Sequence, residues 1–319
     1  MKRLLCTSVV LGALTAAAQG QTSPALIVLP WQDDSHVEMT ADAMIFNGGH
    51  TDSPTSDGVH LQIVRARGRA ALDPAEPNLR FGGELLYINI DSNDPALPER
   101  LVDQSFAVGF GIARVDNWEI GATVGFGYAG NNPYADSEAL YGLASLIFAY
   151  RIDEDQSVQF LLDYDGNRSV LPDVPLPGFV YQRRINDVLS VWVGFPYSAI
   201  TWKPIDRLTL DVRYAVPYSF QARAGYELTD GLSIFGLFAN STDAFRLDDD
   251  PRDHRRLFFS QRRAELGIDW QPSPRCRILL AGGYAFDQKF EYGFDTRDLD
   301  TVRDLSDEPY LRAEAGFRF

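Results

Sequence analysis

The sequence is poor in the residues that build disulfides and metal sites. Of its 319 residues, only 2 are cysteines and 4 are histidines. Cys6 lies in an apolar N-terminal run, so only Cys276 remains once that run is removed, and no intrachain disulfide can then form. The histidines are scattered along the chain without the spacing of a zinc site. We therefore expect neither a bound metal nor another cofactor.

The sequence also lacks an excess of positive charge and long apolar runs. Its 29 basic and 44 acidic residues give a formal net charge of -15, which argues against nucleic acid as a partner. Beyond residue 18, no stretch is close to the length of a transmembrane helix. The mean hydropathy of -0.17 excludes only the helical kind of membrane protein. A membrane β-barrel needs apolar residues at every second position, so its average hydropathy is close to that of a soluble chain.

The first residues are typical of a secretory signal peptide. Lys2 and Arg3 precede a charge-free apolar run that ends at three alanines, Ala16 to Ala18, the small residues that signal peptidase requires. The run is short for the roughly 20 residues that span a bilayer. We predict cleavage after Ala18, with Gly20 as the next choice. The predicted organisation is a signal peptide over 1–18, a short N-terminal segment over 19–36 and one domain over 37–319.

Apolar and polar residues alternate with a period of two along the remaining chain. The last strand is the clearest case, because Leu311, Ala313, Ala315, Phe317 and Phe319 are apolar while Arg312, Glu314 and Arg318 lie between them. Successive side chains of a strand point to opposite faces, so one face is apolar and the other is charged. The same alternation recurs at 118–128, 207–214 and 264–270.

A soluble β-sandwich also alternates, so further features are needed to choose between the two folds. Short turns and long polar loops follow each other along the chain, as in outer-membrane barrels. The polar face carries Arg, Glu and Gly. Aromatic residues also stand at the ends of many apolar faces, where membrane barrels carry their interfacial girdles; these are Tyr87, Trp118, Tyr128, Tyr150, Tyr164, Trp202, Tyr214, Tyr226, Trp270 and Phe319.

Loop lengths predict the number of strands. If both chain ends lie on the side of the short turns, the number must be even. We take 166–186 as a long loop and 187–203 as one strand kinked at Gly194-Phe195-Pro196, since proline leaves a ladder bond unmade. The prediction is an all-β fold, a transmembrane antiparallel up-and-down β-barrel of about 14 strands. If the first strand and the kinked strand are both wrong, the barrel has 12. The predicted strands are 37–46, 59–70, 78–90, 102–114, 117–128, 140–152, 156–165, 187–203, 207–216, 219–228, 231–240, 256–270, 276–287 and 309–319.

The C-terminal residue is Phe319, with apolar residues at alternate positions before it. This pattern resembles the C-terminal signature of bacterial outer-membrane β-barrels. Together with the signal peptide, the chain is most similar to porin-like, uncharacterised barrels of Gram-negative and related bacteria. The resemblance implies localisation in the cell outer membrane, contact with outer-membrane lipids, and a transient partnership with the barrel assembly machinery that reads this signature.

The inward face of the predicted barrel carries charges of both signs. One interpretation is a water-filled pore that passes small polar solutes through a transverse field. The alternative is a structural network of Arg–carboxylate pairs that closes the lumen. Inward glycines, such as Gly125 and Gly127, favour open space on one wall. The candidate lumen-lining residues are Arg65, Arg67, Arg207, Asp211, Arg213, Arg223, Glu227, Arg263, Glu265, Asp269, Arg312 and Glu314.

Two other functions stay open. A structural or adhesive barrel would have a closed lumen and loops that bind partners. A hydrolase would need a His–acid pair at the outside rim, and Asp248, Asp249, Asp250, Asp253 and His254 stand in one predicted loop. Ser260 follows on the next strand without a G-x-S-x-G elbow. A solvated acidic loop is the simpler interpretation, and we expect a passive, non-enzymatic pore without catalytic residues.

Overall fold

The computed structural model describes residues 36–52, 58–72, 79–135, 137–216, 219–248 and 255–319. The predicted signal peptide and its cleavage site lie outside these residues, as do Asp249, Asp250, Asp253 and His254. A short 3-10 helix spans Ser137–Ala139. No helix within the described ranges has the length and apolar character needed to cross a membrane.

The structure consists of β-strands joined by turns and loops. In chain order the strands are β1 (Val37–Phe46), β2 (Val59–Ala71), β3 (Leu79–Ser92), β4 (Arg100–Val115), β5 (Trp118–Gly130), β6 (Leu140–Arg151), β7 (Gln156–Asp165), β8 (Leu176–Asn186), β9 (Leu189–Phe195), β10 (Tyr197–Ile205), β11 (Leu208–Ala215), β12 (Ser219–Thr229), β13 (Leu232–Phe245), β14 (Arg256–Ser273), β15 (Cys276–Gly293), β16 (Asp300–Leu305) and β17 (Glu308–Arg318).

The sheet closes on itself. Strands that follow each other in the chain pair antiparallel, and β1 pairs both with β2 and with β17, in a register that runs from Glu38–Arg318 to Phe46–Tyr310. Within the described residues, 16 strands form the barrel, and β16 lies outside it as an extension paired with the end of β15. The predicted all-β, antiparallel, up-and-down barrel is confirmed. The predicted numbers of 14 and 12 strands are wrong.

The two additional strands come from one region. The predicted loop 166–186 contains β8, and the predicted strand 187–203 is the hairpin of β9 and β10, in which Trp192 pairs with Ala199. Pro196 occupies the turn of this hairpin, where no ladder bond is required, rather than a kink within one strand. β8 adds one strand to the predicted number, and the division of 187–203 into β9 and β10 adds another. The number of strands therefore stays even.

The barrel has two distinct ends. The loop end carries the connections that follow β1, β3, β5, β7, β9, β11, β13 and β15, of which those after β9 and β11 are short, and the turn end carries both termini of the sheet and the remaining connections. At the loop end, β13 and β15 continue to Phe245 and Gly293, beyond their predicted ends at 240 and 287. The predicted end of β13 left out Ser241 and Asp243, which continue its inward face. In β15 a register shift beside Asp287 changes the phase of the alternation, so the pattern breaks while the strand continues.

The outward face is a continuous apolar surface. Leu266 and Leu311 are 75% and 71% exposed, and aromatic residues gather near the turn end, where the rings of Trp118 and Tyr150 lie 4.8 Å apart. Soluble monomers rarely expose apolar patches larger than a few hundred Å². The other exposed apolar residues of this surface include Val124, Phe126, Phe160, Leu162, Val193, Ile200, Trp202, Ile268, Trp270, Leu280 and Phe317.

Candidate functional site: a polar cavity inside the barrel

An apolar cluster fills the barrel interior at the loop end. Its members come from the ends of β1–β4, β13–β15 and β17, all of which turn apolar side chains inward at that level. Burial of apolar surface is the dominant favourable term in folding, and the packed cluster also excludes water from this level of the barrel. The cluster includes Met44, Phe46, Leu61, Ile63, Ile88, Leu101, Phe245, Leu257, Phe259, Phe290 and Tyr310.

Opposite walls of the barrel touch at the same level. β5 and β13 stand on opposite sides in the strand order, yet the Arg246 backbone N–H donates to the Ala129 carbonyl at 2.9 Å. Gly130 and Arg246 form an isolated parallel bridge, and the Asp248 N–H donates to the Asn131 side-chain oxygen at 3.1 Å. The cross-section is therefore pinched at the loop end.

The loop between β7 and β8, residues 166–175, crosses the mouth of the barrel. It leaves β7 and reaches the start of β14 on the far side, where the buried guanidinium of Arg256 donates to the carbonyls of Asn167 and Arg168 at 3.1 and 3.0 Å. The same guanidinium donates to the Phe294 carbonyl at 2.8 Å. Arg256 thereby joins the crossing loop to the β15–β16 loop.

A second contact fixes the crossing loop through Asp295. The Leu171 N–H donates to the Asp295 carboxylate at 3.2 Å, and the Thr296 N–H donates to the Ser169 carbonyl at 2.9 Å. The Arg297 side chain donates to the same carboxylate at 2.6 Å, which lowers the pKa of Asp295 to about 2. The Asp295 carboxylate is therefore charged over the whole physiological pH range.

Beneath the apolar cluster lies a polar cavity of about 100 Å³. Its wall comes from β1–β4, β6, β13, β14 and β17, and it presents acidic and basic groups to the same space. Such a volume has room for several water molecules or for one small polar group. The lining residues are Thr40, Asp42, Arg65, Ala66, Arg67, Glu84, Leu85, Leu86, Asp103, Ser105, Tyr141, Leu143, Asp243, Arg263, Arg312 and Glu314.

Five of the predicted lumen residues line this cavity, and a sixth supports its wall. Arg65, Arg67, Arg263, Arg312 and Glu314 belong to its lining. Glu265 accepts hydrogen bonds from Arg312 at 2.7 Å and from the Tyr310 hydroxyl at 2.8 Å.

Other predicted residues form an ion-pair chain toward the turn end. Arg223 and Arg277 both donate to the Asp269 carboxylate at 2.5 Å, and Arg277 continues to Glu314 at 3.1 Å. Glu314 also bonds to Arg312, so the chain joins the cavity wall. It crosses β12, β14, β15 and β17 along one side of the barrel.

The remaining predicted residues are not part of this arrangement. Asp211 and Arg213 are buried on β11, where the Thr201 hydroxyl donates to Asp211 at 2.8 Å. Arg207 is exposed in the β10–β11 turn with a φ of 69°, and Glu227 is half-buried near the β12–β13 turn. None of these four residues belongs to the lining of the cavity.

Sequence reasoning left several cavity residues out. Asp103 accepts from the Tyr141 hydroxyl at 2.6 Å and from the Asn167 side chain at 3.2 Å, and Asp243 lies 3.5 Å from Arg65. Asp243 was missed because β13 was predicted to end at 240. Extending the alternation past that point would have placed Asp243 on the inward face.

Gly125 and Gly127 do not mark open space, contrary to the expectation from the sequence, since a Cβ on either would overlap neighbouring atoms. A Cβ on Gly127 would overlap the ring of Tyr141, its partner on β6, and a Cβ on Gly283 would overlap the ring of Tyr310 on β17. These glycines make room for inward tyrosine rings that cross the neighbouring strand. The tyrosine hydroxyls in turn reach Asp103 and Glu265.

The residues considered for catalysis or metal binding form no site in the described part of the chain. The Ser260 hydroxyl is 3.1 Å from the Thr242 hydroxyl and 3.5 Å from Glu291. Among the described residues, no group of three or more His, Cys, Asp or Glu side chains is arranged to hold a metal ion.

Comparison with known proteins finds structural likeness without close sequence similarity. No family model and no curated protein sequence matches the chain. A deletion mutant of the TodX monoaromatic hydrocarbon channel is 11% identical, with 95% of this chain and 97% of that chain covered and a TM-score of 0.41. A Pseudomonas aeruginosa FadL homologue is 14% identical, with coverages of 90% and 91% and a TM-score of 0.38.

A bacterial polysaccharide outer-membrane secretin is 11% identical, with 89% of this chain and 99% of that chain covered and a TM-score of 0.39. The closed antiparallel sheet of this chain agrees with the resemblance to bacterial outer-membrane barrels that its C-terminal pattern indicates. The function of this chain is inferred from its own residues.

Proposed function

We propose that the chain is an outer-membrane channel for small polar solutes, with its outer mouth closed in the conformation described. The observation that carries the proposal is the cavity of about 100 Å³ inside a closed barrel, lined by charges of both signs. A barrel held only by a packed interior would have apolar or fully paired side chains at that level. Polar groups that line a barrel interior set which solutes enter it.

The outer surface supports the membrane location. The exposed apolar residues and the aromatic residues near the turn end match a lipid-facing band with an interfacial girdle. Lipid covers such a band, so outer-membrane lipids are the proposed partners of this face. The turn end is then periplasmic and the loop end faces the outside.

The closed mouth supports a gated rather than a permanently open channel. Arg256 and Asp295 hold the loop 166–175 across the barrel, and the apolar cluster lies at the same level. Passage from outside to the cavity therefore requires this loop to move. An Arg256→Ala variant loses the guanidinium bonds to Asn167 and Arg168, so its loop is held by fewer contacts.

The test is single-channel conductance in a planar bilayer. We expect brief, infrequent current steps from the wild-type protein and a higher open fraction from Arg256→Ala, at the same voltage and salt. Arg114→Ala, which removes an exposed arginine paired only with Glu119, is the matched control and should behave as wild type. The absence of steps from both the wild type and Arg256→Ala would refute the channel.

The apolar cluster also favours a second candidate, a structural barrel whose interior never opens. This candidate predicts that Arg256→Ala leaves the barrel non-conducting while its folded form is retained. The same conductance recordings therefore separate the two functions.

A further inference from the structure

Three arginines of the cavity wall have buried N–H groups without a hydrogen-bond acceptor among the described residues. The unsatisfied nitrogens are the two terminal nitrogens of Arg65, the Nε of Arg263 and the Nε of Arg312. Native proteins leave few buried polar atoms unsatisfied, and those at a cavity wall point to a bound water or ligand. All three side chains line the same cavity, on β2, β14 and β17.

Arg263 has the least compensation of the three. Its side chain is only 7% exposed, and its hydrogen bond is to the sulfur of Met44 at 3.3 Å, which is a weak acceptor. Its partners on the neighbouring strands are Ala239 and Ala285, which offer no side-chain acceptor. Within the described residues, no carboxylate lies within 4 Å of its guanidinium.

The other two arginines add positive charge to the same space. The nearest carboxylate oxygen to Arg65 belongs to Asp243 and is 3.5 Å away, and the Nε of Arg312 is 3.6 Å from Asp42. Both distances exceed a good hydrogen bond. Arg65 and Arg312 are also close enough to repel Arg263. Arg312 donates to Glu265 and Glu314 through its terminal nitrogens, so the cations without a close carboxylate are Arg263 and Arg65. A buried cation without such a partner is costly, and a mobile anion beside these two arginines would lower that cost.

We propose that the cavity binds the anionic group of a small solute, a carboxylate or a phosphate, with Arg263 and Arg65 as its principal donors and Arg312 beside them. Guanidinium groups offer paired N–H donors that suit both anions. The proposal deepens the proposed channel function, because it names the chemical class of the solute that the cavity would hold.

Binding to the detergent-solubilised full-length protein tests the inference without the need for conductance. The probes are sodium acetate and inorganic phosphate in separate titrations, followed by calorimetry or by broadening of the acetate methyl resonance. We expect saturable binding of at least one probe, and the probe that saturates at the lower concentration identifies the anionic group. No saturable binding of either probe by the wild type would overturn the proposal.

Variants with opposite expected effects locate the site. Arg263→Gln should weaken binding by about tenfold or more, as expected for loss of a charge-assisted hydrogen bond. Asp243→Asn should strengthen binding, because it removes the carboxylate nearest to Arg65. Arg114→Gln makes the same charge change on the exposed surface and should leave binding unchanged.

The variants keep the inference falsifiable even where one of them does not fold. If Arg263→Gln fails to give the folded form, the Asp243→Asn titration decides alone, and unchanged or weaker binding there overturns the inference. Wild-type affinity in a folded Arg263→Gln overturns it as well. Binding without conductance would refute the channel and retain the anion site, whereas conductance without binding would do the reverse.

Discussion

Arg312 is the residue at which three acidic side chains of the interior meet. Its guanidinium donates to Glu265 and Glu314 and lies 3.6 Å from Asp42. Glu265 has no exposed side-chain surface, so its charge depends on this partner. A buried charge that loses its partner destabilises a fold strongly, whereas exposed ion pairs contribute little.

We expect Arg312→Met to lower the free energy of unfolding by about 3–5 kcal/mol, because it leaves the buried Glu265 carboxylate without its cationic partner. The measurement is reversible urea unfolding in lipid vesicles. The control, Arg114→Met, removes an exposed arginine that pairs with Glu119 and should change stability by less than about 1 kcal/mol. Equal effects of the two substitutions would contradict the assigned role of Arg312.

For single residues, the sequence predicts which face of the barrel a side chain takes better than it predicts which residue that side chain bonds to. Alternation placed Arg263, Glu265, Arg312 and Glu314 on the inward face, and each of them is buried there. Nothing in the sequence indicated that Arg312 bonds across two strands to Glu265. Such pairs depend on the register and tilt of neighbouring strands, which a local pattern does not contain.

Among the elements, the crossing loop 166–175 depends most on a few contacts. Its β7 end is held by Arg256 and its middle by Asp295, whose pKa is lowered to about 2. A carboxyl with a lowered pKa in the folded state stabilises that state fully above its unfolded pKa, near 3.8, and loses this effect as the pH falls through its folded pKa.

The contact between Asp295 and the crossing loop should therefore persist at pH 4 and weaken only toward pH 2. In conductance recordings we expect the wild type to keep the same open fraction from pH 7 to pH 4. Asp295→Asn, which imitates the neutral form, should raise the open fraction at both pH values. An open fraction of the wild type that rises between pH 7 and pH 5 would contradict this role for Asp295.

The hairpin of β9 and β10 decides the number of strands, and its placement can be measured. In the 16-stranded barrel, the strand order places the turn after Asn186 at the turn end, which is periplasmic in the proposed orientation. The Asn186 side-chain oxygen accepts from the N–H groups of Val188 and Leu189 and closes this turn. In the 14-stranded alternative, residue 187 begins a strand at the outer end.

We expect Asp187→Cys to resist a membrane-impermeant maleimide in intact cells and to react after the outer membrane is opened. The background is Cys276→Ser, which removes the native thiol. Tyr134→Cys, in the exposed β5–β6 loop, should react in intact cells and serves as the outside control. Labelling of both positions in intact cells would favour the 14-stranded arrangement.

The overlooked β8 shows why elements are harder to predict near proline. Pro175 and Pro177 mark a loop in the sequence, yet Pro177 pairs with Leu162 at the loop end of β8. The outward Phe179 packs against Phe160 with ring centroids 5.3 Å apart, so the aromatic alternation of Phe179 and Tyr181 was the available signal. Proline is tolerated at the first positions of a strand, which is where it stands here.

The whole molecule was predicted more reliably than its parts. A closed barrel requires only that each strand present an apolar outward face, and that requirement is visible in every alternating segment. The filled loop end was not predicted, because an inward apolar residue and an outward one are indistinguishable once the charges that mark the inner face are gone. The pinch between β5 and β13 involves residues that no local pattern relates.

Closure of the whole sheet predicts resistance to denaturation by detergent. Every strand of the barrel has two neighbours, so we expect the unboiled protein to migrate differently from the boiled protein in gel electrophoresis. The protein should also fractionate with the outer membrane. Equal migration of the two samples, together with recovery in the periplasmic fraction, would contradict the membrane barrel.

The pairing of β1 with β17 sets an order of events for biogenesis. These two strands are the first and the last of the described sheet, so their ladder can form only after β17 has been synthesised. Until then, β1 and the latest strand made are two unpaired edges that can pair with other chains. Joining segments so distant in sequence is also slow. The growing chain must therefore be kept from pairing with other copies of itself until β17 has been synthesised and can pair with β1.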